Sequence, residues 1–76
     1  MDIKILGPGC AKCVTLEKSV RTVVERLQLP ATVSKVDDIM DIMTYGVMAT
    51  PALVVDGKVV LKGRVPNEQE IEQLLQ

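Results

Sequence analysis

The sequence has almost no aromatic side chains and no histidine, since Tyr45 is its only aromatic residue among 76. Proteins that hold single-stranded nucleic acid stack its bases on aromatic side chains, and nucleic-acid-binding domains in general carry a concentrated basic charge. Because the net charge here is −1, we expect no nucleic-acid partner. The missing histidines also remove the commonest metal ligand.

Long apolar runs are absent as well. No segment approaches the roughly 18 consecutive apolar residues that can span a bilayer, so we expect no membrane association. The first residues, Met-Asp-Ile-Lys-Ile-Leu, lack the charged start, apolar centre and cleavage site of a signal peptide. We therefore predict a cytoplasmic protein. A chain of this length makes one domain, so residues 1–76 are predicted to fold as a single unit.

The spacing of apolar residues divides the chain into short structural elements. The pattern predicts strand, helix, strand, short helix, strand, strand and helix, which are residues 2–6, 11 to about 28, 31–36, the segment from Asp37 or Asp38 to Gly46, 52–55, 58–61 and the tail after Asn67. The two-residue Asp56-Gly57 linker is typical of a type I′ hairpin turn. Asn67 and Glu70 have the spacing of a capping box at the start of the last helix.

These elements predict an α/β fold. The first two strands are joined by a helix, so they should be parallel with a right-handed crossover. The hairpin should then add antiparallel strands to the same sheet. Its strands are apolar at nearly every position, which is typical of strands covered on both faces. We therefore expect helices on both faces of one mixed sheet.

The motif that carries chemistry is Cys10-Ala11-Lys12-Cys13, placed where the first strand leads into the first helix. A cysteine at a helix N-terminus is held near unpaired backbone N–H groups, which favour the reactive thiolate. Lys12 adds a positive charge. Cys13 comes one helical turn later on the apolar stripe, so it should be the less accessible thiol. We predict that Cys10 attacks a disulfide and that Cys13 resolves the mixed disulfide.

Two other interpretations of the cysteine pair stay open. A structural disulfide across one turn would close a very small loop and stabilise the fold by only about 2 kcal/mol. A zinc site needs four ligands, and the chain has two cysteines and no histidine. We therefore predict no resident metal and no cofactor beyond the Cys10–Cys13 disulfide. Transport of a soft metal such as copper through the same two thiolates is the alternative function.

The Cys-x-x-Cys motif, the Thr50-Pro51 pair about forty residues later and the hairpin that follows resemble the thioredoxin/glutaredoxin superfamily. The chain is most similar to its very short archaeal and bacterial redox-active members, and the likeness extends over the whole length. The resemblance implies a thioredoxin-like sheet with strand order 2-1-3-4. It also implies a protein disulfide oxidoreductase that acts on protein disulfides, is reduced by an upstream disulfide reductase and works as a monomer.

The resemblance also implies roles for individual residues. Pro51 should follow a cis peptide bond, and the backbone of Thr50 should pair with an extended substrate chain by strand addition. Ala11, Lys12 and Gly63 are expected to complete the substrate-binding surface.

The chain departs from the family pattern in three places. Gly9 replaces the tryptophan before the first cysteine, and Lys4 occupies the position of a buried acid that serves proton transfer in typical thioredoxins. The aspartate with which glutaredoxins hold glutathione is missing after Gly63, which argues against glutathione as a ligand. Arg64 is expected to be a solvated surface residue, and the alternative is that it binds a carboxylate.

Three methionines, Met40, Met43 and Met48, surround the predicted short helix. We expect them to pack in the core or at its rim. The alternative is an adaptable binding surface, because methionine side chains are flexible and polarisable. In that case an apolar patch near Ala11, Met48 and Pro51 would receive protein partners.

Overall fold

The computed structural model describes residues 1–9 and 11–75. Its elements follow the predicted order, and they are β1 (Asp2–Leu6), α1 (Ala11–Arg26), β2 (Thr32–Val36), α2 (Ile39–Thr44), β3 (Ala52–Val55), β4 (Lys58–Lys62) and α3 (Glu68–Leu75). The strands form one four-stranded sheet with the order β2-β1-β3-β4. The β1–β2 pair is parallel, and the β1–β3 and β3–β4 pairs are antiparallel. The predicted α/β fold is confirmed.

Helices cover both faces of the sheet, as predicted. On one face α1 and α3 pack on the sheet through a cluster of buried residues, Ile3, Ile5, Leu16, Val20, Val23, Leu53, Leu61, Ile71 and Leu75. On the other face α2 and the loop after it pack through a smaller cluster, Leu6, Ile42, Val47, Ala52 and Val54. Fully burying one such side chain contributes about 1.5–3 kcal/mol, so the α1–α3 face contains most of the core.

The helix α1 ends at Arg26, slightly before the predicted end near residue 28. Gln28 has a φ of 53°, which places it in the left-handed region. The amide of Leu29 donates to the Val24 carbonyl at 3.0 Å, and the amide of Gln28 donates to the Glu25 carbonyl at 3.2 Å. These two bonds make a Schellman motif. The helix is therefore closed by its own backbone before Pro30 is reached.

The hairpin has the predicted turn. Asp56 and Gly57 have φ values of 51° and 82°, and a type I′ turn requires positive φ at both positions. The turn is also tied to the start of β1, because the Asp2 amide donates to Asp56 Oδ1 at 2.8 Å and the Asp56 amide donates to the Asp2 carbonyl at 2.7 Å. A register shift between Leu53 and Val54, which the sequence did not predict, marks a bulge in the hairpin.

The helix α3 has only half of the predicted capping box. Asn67 Oδ1 accepts a hydrogen bond from the Glu70 amide at 2.8 Å, as expected for an N-cap. The Glu70 carboxylate does not complete the box, because it pairs with both terminal nitrogens of Arg64. No helix in the described part of the chain is both long and apolar enough to cross a bilayer.

Candidate active site

The candidate site lies where β1 leads into α1. Beyond β1 the Gly7 amide still donates to the Val36 carbonyl at 2.9 Å, so the strand pairing continues to the edge of the site. Gly9 has a φ of 91°, a conformation that costs glycine little, and the chain turns there toward the helix. The predicted nucleophile Cys10 lies outside the described residues.

Cys13 is fully buried in the first turn of α1. It belongs to the same apolar stripe as Leu16, Val20 and Val23, because these positions recur at helical spacing. The prediction that Cys13 lies on the buried face of the helix is confirmed.

The absence of a side chain at Gly7 leaves room for the side chain of Cys13. A β-carbon built at Gly7 would overlap Cys13 Sγ and lie 3.0 Å from Cys13 Cβ. Gly7 is itself buried and does not have a positive φ. The lack of a side chain at Gly7 therefore leaves room for the cysteine. It is not required by the backbone conformation. The sequence indicated Gly7 only as a turn residue, and no local signal distinguished this contact.

The N-terminus of α1 carries Ala11 and Lys12, and both are exposed. The first turn has no acidic side chain, so nothing on the helix offsets the positive end of its dipole there. Lys12 adds a further positive charge. The electrostatic environment at this end of the helix therefore favours an anion.

The Thr50–Pro51 segment reaches the same end of the sheet. The peptide bond between them is cis, as the family resemblance implied. Leu6 pairs with Ala52 in the antiparallel β1–β3 ladder, so the chain after Leu6 and the chain before Ala52 leave the sheet side by side. Pro51 is buried and Thr50 is exposed.

Gly63 joins this segment through its backbone. The Gly63 amide donates to the Pro51 carbonyl at 2.9 Å, and Gly63 has a φ of 82°. A β-carbon there would lie 3.4 Å from Ala49 Cβ. The structure thus brings Gly63 together with the Thr50–Pro51 segment, from which it is separated in the chain by the β3–β4 hairpin.

A shallow apolar groove borders Thr50. Its volume is about 270 Å³, and it is lined by Pro8, Ile39, Ile42, Met43, Val47, Met48 and Thr50. The expectation that the methionines pack in the core or at its rim is wrong, because Met40, Met43 and Met48 are 69%, 62% and 97% exposed. The helix α2 has only six residues, and Ile42 is the one that it buries.

Lys4 occupies the position of the family's buried acid, but its environment is different. Its ammonium donates to the Tyr45 hydroxyl at 3.3 Å and lies 3.8 Å from an Asp2 carboxylate oxygen, with the Lys4 side chain 34% exposed. The hydrogen bond to Tyr45 raises the pKa of Lys4, and Asp2 acts in the same direction. Over residues 1–9 and 11–75, no charged or polar side chain is buried.

Arg64 is held by α3. Its guanidinium and the Glu70 carboxylate form a two-bond ion pair, which raises the pKa of Arg64 and lowers that of Glu70. The Arg64 side chain is 57% exposed, in agreement with the expected surface position. Where side chains are described, no group of three or more Cys, Asp or Glu residues is arranged to hold a metal ion.

Comparison with known proteins assigns this arrangement to a family. A family model described as a thioredoxin domain matches residues 1–76. A protein named thioredoxin from Methanothermobacter thermautotrophicus is 40% identical over 75 residues, which cover 99% of this chain and 97% of the relative. A second thioredoxin, from Methanocaldococcus jannaschii, is 36% identical over 73 residues, covering 96% of this chain and 84% of the relative. The chain therefore belongs to the thioredoxin domain family and is a thiol–disulfide oxidoreductase.

Proposed function

We propose that the chain reduces disulfide bonds in other proteins with Cys10 as the attacking thiol and Cys13 as the resolving thiol. The observation that carries the proposal is the complete burial of Cys13 in the first turn of α1, directly against Gly7. A thiol that is covered by the protein is poorly placed to attack a bulky substrate. It is well placed to attack a sulfur one helical turn away.

The reaction then takes two exchanges. The Cys10 thiolate attacks one sulfur of the substrate disulfide, forms a mixed disulfide and releases the other substrate sulfur as a thiolate. The Cys13 thiolate next attacks the Cys10 sulfur, which forms the Cys10–Cys13 disulfide and releases the second substrate thiolate. Two electrons pass to the substrate, whose sulfurs take up two protons. An upstream disulfide reductase returns both electrons to the pair.

The electrostatics of α1 support the first exchange. Thiolates react and thiols do not, and a helix N-terminus with a neighbouring cation lowers the pKa of a cysteine. The first turn of α1 contains Lys12 and no acidic side chain. We expect the pKa of Cys10 to lie below the value of about 8.5 for an ordinary cysteine.

Substrate binding is assigned to the surface around the cysteine pair. Thr50 is exposed, and the Gly63 amide fixes the neighbouring Pro51 carbonyl at 2.9 Å. The Thr50 backbone would pair with an extended substrate segment in the manner of an added strand. The exposed residues Ala11 and Lys12 would contact the same segment from the helix side.

A redox titration tests the proposal. The protein is equilibrated in dithiothreitol buffers, and its thiols are counted by mass-shift labelling. We expect a reversible two-electron transition between about −270 and −200 mV, the range from thioredoxin to glutaredoxins. A disulfide that never forms would refute the proposal. Tight copper(I) binding by the same protein would then favour the soft-metal alternative.

Two variants test the separate roles of the cysteines. Cys13→Ser should accumulate a mixed disulfide with a protein substrate, because the second exchange is blocked, whereas Cys10→Ser should not. In Cys13→Ser, the rate of alkylation against pH reports Cys10 alone. A midpoint at or above about 8.5 would contradict an activated Cys10.

A further inference from the structure

Four large apolar side chains are exposed together on one side of the molecule. They are Ile39, Met40, Met43 and Met48, at 63%, 69%, 62% and 97% exposure, and we call them the methionine face. They belong to α2 and the loop that follows it. Among the other described residues, the exposed large apolar side chains are Met1 and Val14. They are less exposed, at 41% and 38%. A concentration of exposed apolar side chains of this kind marks an interaction surface.

The methionine face is continuous with the candidate active site. Ile39, Met43 and Met48 line the same groove as Pro8 and Thr50, and only Gly9 separates Pro8 from the cysteine motif. The groove measures about 270 Å³. Its size and its apolar lining suit a side chain of a docked polypeptide. Methionine side chains can adapt to such an occupant.

Charge indicates which polypeptide fits. Residues 37–48 contain Asp37, Asp38 and Asp41 and no lysine or arginine, so this segment carries −3 whereas the whole chain carries −1. Asp38 caps α2 through the Met40 amide, and Asp41 lies in its first turn. Asp37 precedes the cap and is exposed. A second copy of this chain would bring like charge against like charge, which disfavours self-association.

We propose that the methionine face docks a segment of the partner protein in which an apolar anchor residue is flanked by lysine or arginine. The inference rests on the proposed function and specifies which disulfides the chain selects. The anchor enters the groove beside Thr50. The flanking cations lie against Asp37 and Asp41, and this places the partner's disulfide near the cysteine motif.

Three peptides with the same internal disulfide test the proposal. One has a leucine anchor flanked by two lysines, one has the leucine flanked by two glutamates, and one has serine in place of leucine between two lysines. We expect kcat/KM for the leucine–lysine peptide to exceed that of the leucine–glutamate peptide by about 2- to 25-fold, because each of two exposed ion pairs changes an equilibrium constant by about 1.4- to fivefold. We expect a similar loss when serine replaces leucine.

Matched variants locate the effect. Asp37→Lys should remove or reverse the preference for lysine, whereas Glu25→Lys makes the same change of charge at an exposed position on α1 and should keep it. Met43→Gln combined with Met48→Gln should slow the leucine peptide more than the serine peptide, because the leucine is the residue that enters the groove. Equal rates for the lysine and glutamate peptides would overturn the proposal, as would equal effects of Asp37→Lys and Glu25→Lys.

Two further measurements separate this proposal from the redox assignment. Versions of the peptides with serine in place of both cysteines should still shift the NMR signals of α2, with the lysine peptide binding more tightly. Reduction of hydroxyethyl disulfide reports the thiol chemistry alone, so its failure would refute the redox assignment while the binding data still decide the docking. A dimer in sedimentation that Met48→Gln dissociates would identify a second copy as the occupant and overturn the proposal.

Discussion

Replacing Gly7 with alanine tests how the fold makes room for the resolving cysteine. The new β-carbon would overlap Cys13 Sγ and lie 3.0 Å from Cys13 Cβ. Cys13 is fully buried, so its side chain cannot move into solvent without opening the first turn of α1. Gly7 also donates to Val36, which ties its own backbone to β2. Neither partner can therefore move without disturbing a paired element.

The cost follows from the packing of the core. An extra carbon in a well-packed interior destabilises a protein by about 1–3 kcal/mol. Gly7 does not have a positive φ, so this steric term is the main one. In a domain of 60–100 residues, 1 kcal/mol lowers Tm by about 4–8 °C. We expect a loss of about 2 kcal/mol and a fall in Tm of about 8–16 °C for Gly7→Ala.

Urea unfolding in excess dithiothreitol measures this loss without a contribution from disulfide formation. The control is the double-mutant cycle with Cys13→Ala, which removes the overlapping sulfur. If the overlap is the cause, Gly7→Ala should cost less by at least about 1 kcal/mol when Cys13 is already alanine. The reasoning fails if Gly7→Ala is as stable as the parent protein, or if the two substitutions are additive. In the functional assay, Gly7→Ala should slow release of a mixed-disulfide substrate, because Cys13 is displaced.

Three other substitutions have predicted outcomes. Gln28→Gly should raise the free energy of unfolding by about 0.5–1 kcal/mol in urea, because glycine adopts the left-handed conformation there without a β-carbon penalty; a loss of stability would contradict this. Asn67→Ala should lower that free energy by about 1 kcal/mol through loss of the cap on α3, and Asn67→Asp should retain most of it. Arg64 lowers the pKa of Glu70, so their pairing stabilises the fold above the unfolded-state pKa and is lost as pH falls through the lower folded value. As pH falls below about 4.5, the free energy of unfolding of Glu70→Gln should therefore decrease less steeply than that of the parent protein.

Features set by neighbouring residues could be predicted from the sequence. Asp56-Gly57 determines its turn because few residues tolerate positive φ at both positions, and the structure has that turn. The burial of Cys13 followed from its place on a stripe with helical spacing. The order of strands was implied by the resemblance and is confirmed. The role of Cys10 stays a prediction, since that residue lies outside the described part of the chain.

Three features of the structure could not be predicted from the sequence. The end of α1 was predicted near residue 28, but the helix ends at Arg26 because Gln28 adopts the left-handed conformation. Glu70 had the spacing of a capping box, yet Arg64 binds its carboxylate. The exposure of Met48 depends on how little of the sheet a six-residue helix can cover. None of these outcomes has a local signal.

Lys4 shows that a sequence position with a chemical role in one member of a family does not have that role in every member. On β1 it alternates with Ile3 and Ile5, which face α1 and α3, so Lys4 lies on the face that α2 covers. The short α2 leaves the Lys4 side chain 34% exposed, and the ammonium bonds to Tyr45. The pKa of a carboxyl group rises when the group is desolvated, but water reaches the side chain of Lys4. A Lys4→Asp substitution alone would therefore not restore the family's buried acid, because the buried environment has to come from the covering helix.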